Sequence, residues 1–177
     1  MQAIQTVTVG SGGQSSITFS SIPDTYTDLV VLCSLRSNRT AEVERLTFRF
    51  NGDSGSNYSY KALIGTGSSK FSEGITTNGI ISYAATGNTA TANTFGNLSL
   101  YIPNYLSSNQ KSTSQDGVFE NNATNAWQNI MANRWTGTAP INSITVTPDF
   151  GTLWLEHSTA TLYGILAGSD GTTTVTT

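Results

Sequence analysis

The sequence predicts an all-β fold, a single-domain antiparallel β-sandwich, jelly-roll-like, of about eight or nine strands. Three observations carry that expectation. Residues 28–36, Asp-Leu-Val-Val-Leu-Cys-Ser-Leu-Arg, place Leu29, Val31, Cys33 and Leu35 on one face and Val30, Leu32, Ser34 and Arg36 on the other, because side chains alternate along a strand. One face is wholly apolar. The other turns polar at Ser34, as suits a central strand covered on both sides at one end and emerging at the other. Leu46, Phe48 and Phe50 alternate with Thr47, Arg49 and Asn51 in the cleanest period-two pattern of the chain. Short runs of this kind recur at regular spacing, with no convincing amphipathic helix and no internal repeat between them.

In chain order, residues 4–9 and 16–19 read as strands around Gly10-Ser11-Gly12-Gly13, an expected opening hairpin. Pro23 precedes the central strand, where its missing N–H harms no ladder. Asn51-Gly52 ends the next strand with a pair that accepts positive φ. Residues 58–64 form a further strand, with Tyr58, Tyr60 and Ala62 on one side and Ser59, Lys61 and Leu63 on the other. Residues 65–78 are expected to be a loop, 80–83 a short strand, and 84–93 an exposed, mobile segment because they are small, polar and without period. Leu98, Leu100 and Ile102 face inward, Ser99 and Tyr101 outward, and Pro103 closes that strand. Residues 111–119 form a weak strand. Between Glu120 and Thr138, Trp127, Ile130, Met131 and Trp135 have partial helical spacing, but Asn and Thr are poor helix formers and strand with loop is preferred. Ile141, Ile144 and Val146 open a late strand ended by Pro148, residues 153–155 form a short one, and residues 159–166 form the last. The domain is thus residues 1–166, with a polar tail at 167–177 that swings free or lies on a neighbouring subunit.

A chain of 177 residues is long enough to bury roughly 70% of its unfolded surface without metal or disulfide. Charged residues make up 11%, against about 25% in an ordinary domain, and the net charge is −3. The eight Lys and Arg are scattered, so no basic field invites nucleic acid. No apolar run reaches the length of a membrane span, and Met1-Gln2-Ala3-Ile4-Gln5 has neither the basic segment nor the apolar core of a signal peptide, so the mature chain is expected to begin at or next to Met1. The single cysteine, Cys33, reads as a small buried hydrophobe.

No enzyme signature emerges, and no cofactor, catalytic or metal residue is assigned. His157 is the only histidine and stands in a turn before the last strand. Gly65-Thr66-Gly67-Ser68-Ser69-Lys70 lacks the spacing of a phosphate loop. Asn51, Asp53, Gly55 and Asn57 superficially suggest a calcium loop, but one acidic residue and no distal Glu favour a turn. Asp116 and Glu120 are the only close acidic pair in the later half, and polysaccharide hydrolysis would rest on them. Acceptor patterns for glycosylation at Asn38, Asn57, Asn97 and Asn122 are set aside as chance matches in a chain rich in Asn, Ser and Thr. A glycan site would use aromatic faces flanked by Asn, with Trp127, Trp135, Trp154, Tyr101 and Tyr105 as candidates beside Asn104 and Asn125. Tyr101, Asn104 and Tyr105 are the preferred glycan or partner contacts, since Tyr101 is outward on its strand and Tyr105 lies beyond Pro103.

Several stretches together carry a likeness: residues 17–29, Arg36-Ser37, residues 50–59 (Phe-Asn-Gly-Asp-Ser-Gly-Ser-Asn-Tyr-Ser), Tyr101-Ile102-Pro103-Asn104-Tyr105, Pro140-Ile141-Asn142-Ser143-Ile144 and residues 158–165. From Ile4 to Leu166 the chain resembles a module recurring in tailed-bacteriophage virion proteins, found alone or at the end of tail and fibre proteins. The resemblance implies a β-sandwich. With no collagen-like or coiled-coil shaft before it, the chain is similar to capsid decoration, or cement, proteins. That implies a place on the virion surface after synthesis in the host cytoplasm, the major capsid protein as partner, a homotrimer, and no nucleic acid or membrane partner. The alternative it implies is a tail-fibre or tail-tip module that recognises host-surface glycan.

Overall fold

The computed structural model describes residues 1–121 and 126–166. The expected tail, Asn125 and the acceptor pattern beginning at Asn122 lie outside the described residues. Twelve strands follow in order: β1 (Gln2–Thr8), β2 (Ile17–Phe19), β3 (Asp28–Leu35), β4 (Val43–Phe50), β5 (Tyr58–Gly65), β6 (Lys70–Thr77), β7 (Ile80–Thr86), β8 (Gly96–Ile102), β9 (Lys111–Glu120), β10 (Ala126–Trp135), β11 (Ile144–Pro148) and β12 (Thr159–Ile165). They form two antiparallel sheets, β1-β12-β3-β8-β9-β10-β5-β6 and β2-β11-β4-β7. No helix occurs among the described residues.

The pairing is nested. β1 pairs with β12, β2 with β11, β3 with β8 and β4 with β7, and β12 joins β3 while β11 joins β4. Those eight strands are a jelly roll, two four-stranded sheets face to face. The remaining four exceed the expected eight or nine. The hairpins β5–β6 and β9–β10 are inserted between β4 and β7 and between β8 and β11, and both add to the β8 edge of one sheet. The result is a wide sheet against a narrow one.

β3 is central, as its pattern requires. Leu29, Val31, Cys33 and Leu35 are buried between the sheets, while on the other face Val30 is buried and Leu32 already exposed. They meet Phe19, Phe48, Phe50, Ile144 and Val146 of the narrow sheet, with Trp154 buried in the same core. Tyr58 and Trp135 stack at 6.2 Å and Phe50 meets Trp135 edge-on at 5.6 Å. Asn51 and Gly52 both have positive φ, 53° and 69°, closing the turn that their sequence suggests.

Four local expectations change. β1 and β2 do not form a hairpin: Gly12 and Gly13, at φ 92° and 75°, carry the chain from the wide sheet to the narrow one. The expected loop at 65–78 contains β6, a strand exposed on most of its length because it is the outer edge. Residues 153–155 form only bridges, from Trp154 to Gln14 and Ser37. Residues 84–93 are exposed only in part: Ala84, Ala85 and Thr86 are buried as the end of β7 and Ala90 is buried in the loop, while Asn88, Thr89 and residues 91–93 are exposed. Arg36 orders the loop. Its buried guanidinium donates to the carbonyls of Thr91 (2.9 Å), Thr94 (2.9 Å), Asn88 (3.2 Å) and Ala90 (3.0 Å), wrapping the loop around one side chain.

Arg36→Ala is therefore expected to lower the unfolding free energy by about 1–3 kcal/mol, since it strands the buried Ala90 carbonyl and removes the bonds to three part-buried ones; urea denaturation measures it. Burial also pushes the Cys33 thiol up to about 12. As the thiolate is the reactive form, Cys33 should resist a thiol-specific disulfide reagent at neutral pH until the protein is unfolded, and react at once in denaturant.

Candidate functional site

The three preferred contact residues separate. Tyr101 lies on the outward face of β8, 36% exposed, and its hydroxyl donates to Asp28 Oδ2 at 2.9 Å. That hydrogen bond, with a lesser contribution from burial, raises the Tyr101 pKa. The exposed Asn104 turns the chain at φ 48° and donates its backbone N–H to Asp28 Oδ1 at 2.8 Å. Tyr105 is not exposed. The left-handed Asn104 swings it under the sheet, where it is fully buried with its hydroxyl donating to the Pro23 carbonyl. Tyr101 and Asn104 thus share one carboxylate, and Tyr105 belongs to the core, as do Trp135 and Trp154.

The loop with alternating oxygens is a turn built on Asp53. Its carboxylate accepts from Trp135 Nε1 (2.7 Å), Gly55 N (2.9 Å) and Asn57 Nδ2 (3.0 Å). The hydrogen bond from Trp135 leads the lowering of its pKa. Among the described residues no three His, Cys, Asp or Glu groups converge. His157, at φ 71°, holds a turn through its backbone N–H to Val9 O. Asp116 and Glu120 project outward four residues apart on β9, which at strand rise separates them by about 13 Å, wider than the about 5–9.5 Å of glycosidase pairs.

Two surfaces stand out instead. The first is the outward face of the wide sheet. Cross-strand pairing lines up Leu32, Ser99, Asp116, Ile130, Leu63 and Ser72 in one row. Leu63 is 65% and Ile130 58% exposed, directly opposite one another, and Val118 is exposed nearby. Around them lie Gly65, Ser72, Gly74 and Ala132, with Lys61, Lys70, Asp116 and Gln128. Leu63 was legible as outward, since its strand places it with Ser59 and Lys61, but its pairing with Ile130 was not.

The second is a cleft. Where the wide sheet overhangs the narrow one, its inward face looks past the edge strand β7, leaving a hollow of about 600 Å³ lined by Arg45, Tyr60, Glu73, Ile75, Tyr83 and Asp149. Tyr83 also lines an adjoining hollow of about 370 Å³ with Arg39, Trp127 and Phe150. Tyr83 and Trp127 lie 5.4 Å apart at 34°, and Phe71 meets Trp127 edge-on at 6.0 Å. Arg39 and Arg45 both lie over the Phe150 ring, at 4.1 and 4.6 Å, and Arg45 is ion-paired with Asp149. The buried Glu44 fixes this turn by accepting from Gly151 N (2.7 Å) and Phe150 N (3.2 Å). A Cβ on Gly151 would sit 2.7 Å from Glu44 Oε2 and would have to displace that carboxylate. The Tyr60 pKa is raised by burial first and by its hydrogen bond to Glu73 second. Trp127 was among the sequence candidates; Tyr83, Phe150, Arg45 and Asp149 were missed, because only the fold brings them together.

The chain matches no known protein family, no curated protein and no solved structure. Among the described residues no helix is long and apolar enough to cross a membrane.

Removing the Asp53 carboxylate leaves the Trp135 N–H without its partner, so Asp53→Ala is expected to cost about 1–3 kcal/mol. Because the folded pKa lies below the unfolded value, this contribution is present above the unfolded pKa of about 3.9 and fades as pH falls through the folded one. Denaturation of wild type and variant from pH 7 downward should show the gap narrowing only in that acid window, and added calcium should leave the wild-type midpoint unmoved.

Proposed function

We propose that this chain is a tailed-bacteriophage virion structural protein, a decoration (cement) protein that lies on the outer surface of the head and bridges neighbouring major capsid protein subunits, as a homotrimer. The observation that carries the reading is the outward face of the wide sheet. It is broad, centred on the exposed Leu63–Ile130 pair, and carries scattered charges of both signs, Lys61, Lys70 and Arg134 with Asp116 and Glu120. A contiguous apolar surface rimmed by polar residues suits a protein partner. The stretches that resemble phage virion modules supply the class, and jelly rolls serve widely in viral shells. That last point is fold-level analogy. In this reading the protein does no covalent chemistry and needs no cofactor. It binds assembled shell in preference to free subunits and stabilises the shell by mass action.

The working test is the copy number per purified virion, by quantitative mass spectrometry against the major capsid protein. A number commensurate with the capsid lattice is expected; one matching a single tail assembly overturns the head assignment and favours the tail-tip alternative. In the same particles, the double variant Leu63→Thr, Ile130→Thr should be depleted from heads and leave them less resistant to heat, while its own melting temperature stays near wild type because both side chains are exposed and threonine suits a strand.

A further inference from the structure

We infer that the cleft beside β7 is a binding site for a neutral oligosaccharide. The inference stands apart from the decoration reading, since it concerns the opposite face of the wide sheet and residues that reading does not use.

The argument begins with what the cleft offers. Tyr83 and Trp127 form a tilted aromatic floor, each ring half-buried, and Phe150, 53% exposed, stands at the rim. The C–H face of a pyranose packs on aromatic faces, and a cleft of several hundred Å³ with a few convergent polar groups is the ordinary form of a small-ligand site. Around the floor lie groups suited to hydroxyls: the planar Arg45–Asp149 pair, Glu73 with the Tyr60 hydroxyl, and Asn78. Each guanidinium or carboxylate presents two parallel donors or acceptors, which matches vicinal hydroxyls. The stacking residues are also held in advance. Glu44 fixes the turn that carries Phe150, and the two guanidiniums over that ring limit its movement. A site already in place loses little ordering entropy on binding.

Two observations choose the ligand class. Peptides commonly dock by adding a strand to an open sheet edge; the edge that carries Tyr83, β7, is closed, and the open edge β6 lines the first hollow and not the one that holds Trp127 and Phe150. Gln115 Nε2 donates to Ile81 O at 2.7 Å and Asn129 Nδ2 to Tyr83 O at 3.3 Å, so amide side chains of the wide sheet occupy that edge. Charge argues against an acidic ligand. The two hollows contain Arg39 and Arg45 against Glu42, Glu73 and Asp149, so they offer no net positive field to draw an anion. An uncharged sugar chain lying across Tyr83, with one unit in each hollow, satisfies both conditions.

The test is intrinsic tryptophan emission of the whole chain titrated with neutral oligosaccharides of glucose, mannose, galactose or N-acetylglucosamine, and with oligogalacturonate as the charged comparison, to about 10 mM, a range that captures weak binding. Trp127 is the partly exposed indole, whereas Trp135 and Trp154 are buried. Saturable change is expected with at least one neutral series, weakened at least about tenfold in Tyr83→Ala and in Phe150→Ala. Phe150→Ala guards against misfolding, because its side chain is exposed and its turn is held through the backbone; its melting curve verifies this. No saturation with any neutral series overturns the inference. So does binding of oligogalacturonate alone, binding undiminished in Phe150→Ala, or loss confined to Tyr101→Ala, which would move the sugar to the other face of the sheet.

Discussion

Two sheets of unequal width cannot cover one another, and much of this structure follows from that mismatch. Eight strands face four. Within the jelly roll proper, the inward residues of both sheets are aliphatic and aromatic and meet in one core. Where β9 and β10 meet the edge strand β7, inward residues of the wide sheet change character: Thr113, Gln115, Asn129 and Asn133 stand where leucine and valine stand on β3 and β8. These are not packing failures. Asn129 also accepts from the Ser82 hydroxyl and donates to the Gly117 carbonyl, and with Gln115 it supplies partners to an edge strand that the narrow sheet leaves open. An unpaired strand edge invites foreign strands; here the neighbouring sheet reaches over and closes it. Among the described residues Thr113 Oγ1 and the Asn133 amide find no protein partner, which at about 1–3 kcal/mol for each uncompensated group makes this seam a natural place for internal water.

The same mismatch makes the cleft. A second, smaller cluster of Tyr60, Ala62, Ile64, Ile81 and Met131 closes the inner part of the overhang, and past it the surface opens to Tyr83, Trp127 and Phe71. On the reverse side the added hairpins merely continue the roll's outer face, giving it the breadth that the adhesive reading uses. One pair of insertions thus creates a flat face and a concave one. The eight-strand roll alone would have neither in this form.

How much of this was legible depended on where each residue's partner lies. β3, β4 and β8 could be read because their inward positions meet apolar neighbours, so alternation survives in the sequence: Leu29, Val31, Cys33 and Leu35; Leu46, Phe48 and Phe50; Leu98, Leu100 and Ile102. β9 looked weak for the converse reason, since Lys111, Thr113 and Gln115 are buried yet polar. β6 looked like a loop because an outer edge strand needs little apolar character. The segment 84–93 looked wholly exposed because Ala84, Ala85 and Thr86 are small residues of β7 with no apolar period, and because the loop after them is ordered by an arginine about fifty residues earlier. Tyr105 misled through one backbone angle at Asn104. The cleft was illegible as a unit: Arg45, Tyr83, Trp127 and Phe150 come from four separate regions, and their convergence is a property of the insertions' docking.

The pairing of the first strand with the last has a consequence for how the chain is made. β12 sits between β1 and β3, and without it neither has its neighbour on that side. A nascent chain emerging from its N-terminus therefore carries an incomplete wide sheet until β12 has emerged, with β3 lacking its neighbour on that side. Pairing across nearly the whole length carries a large loop-closure entropy, which slows folding, and open strands that wait are prone to wrong partners. The hairpins β5–β6 and β9–β10, by contrast, close locally and early. The wide sheet is thus completed only by the long-range pairing of β12 with β1 and β3.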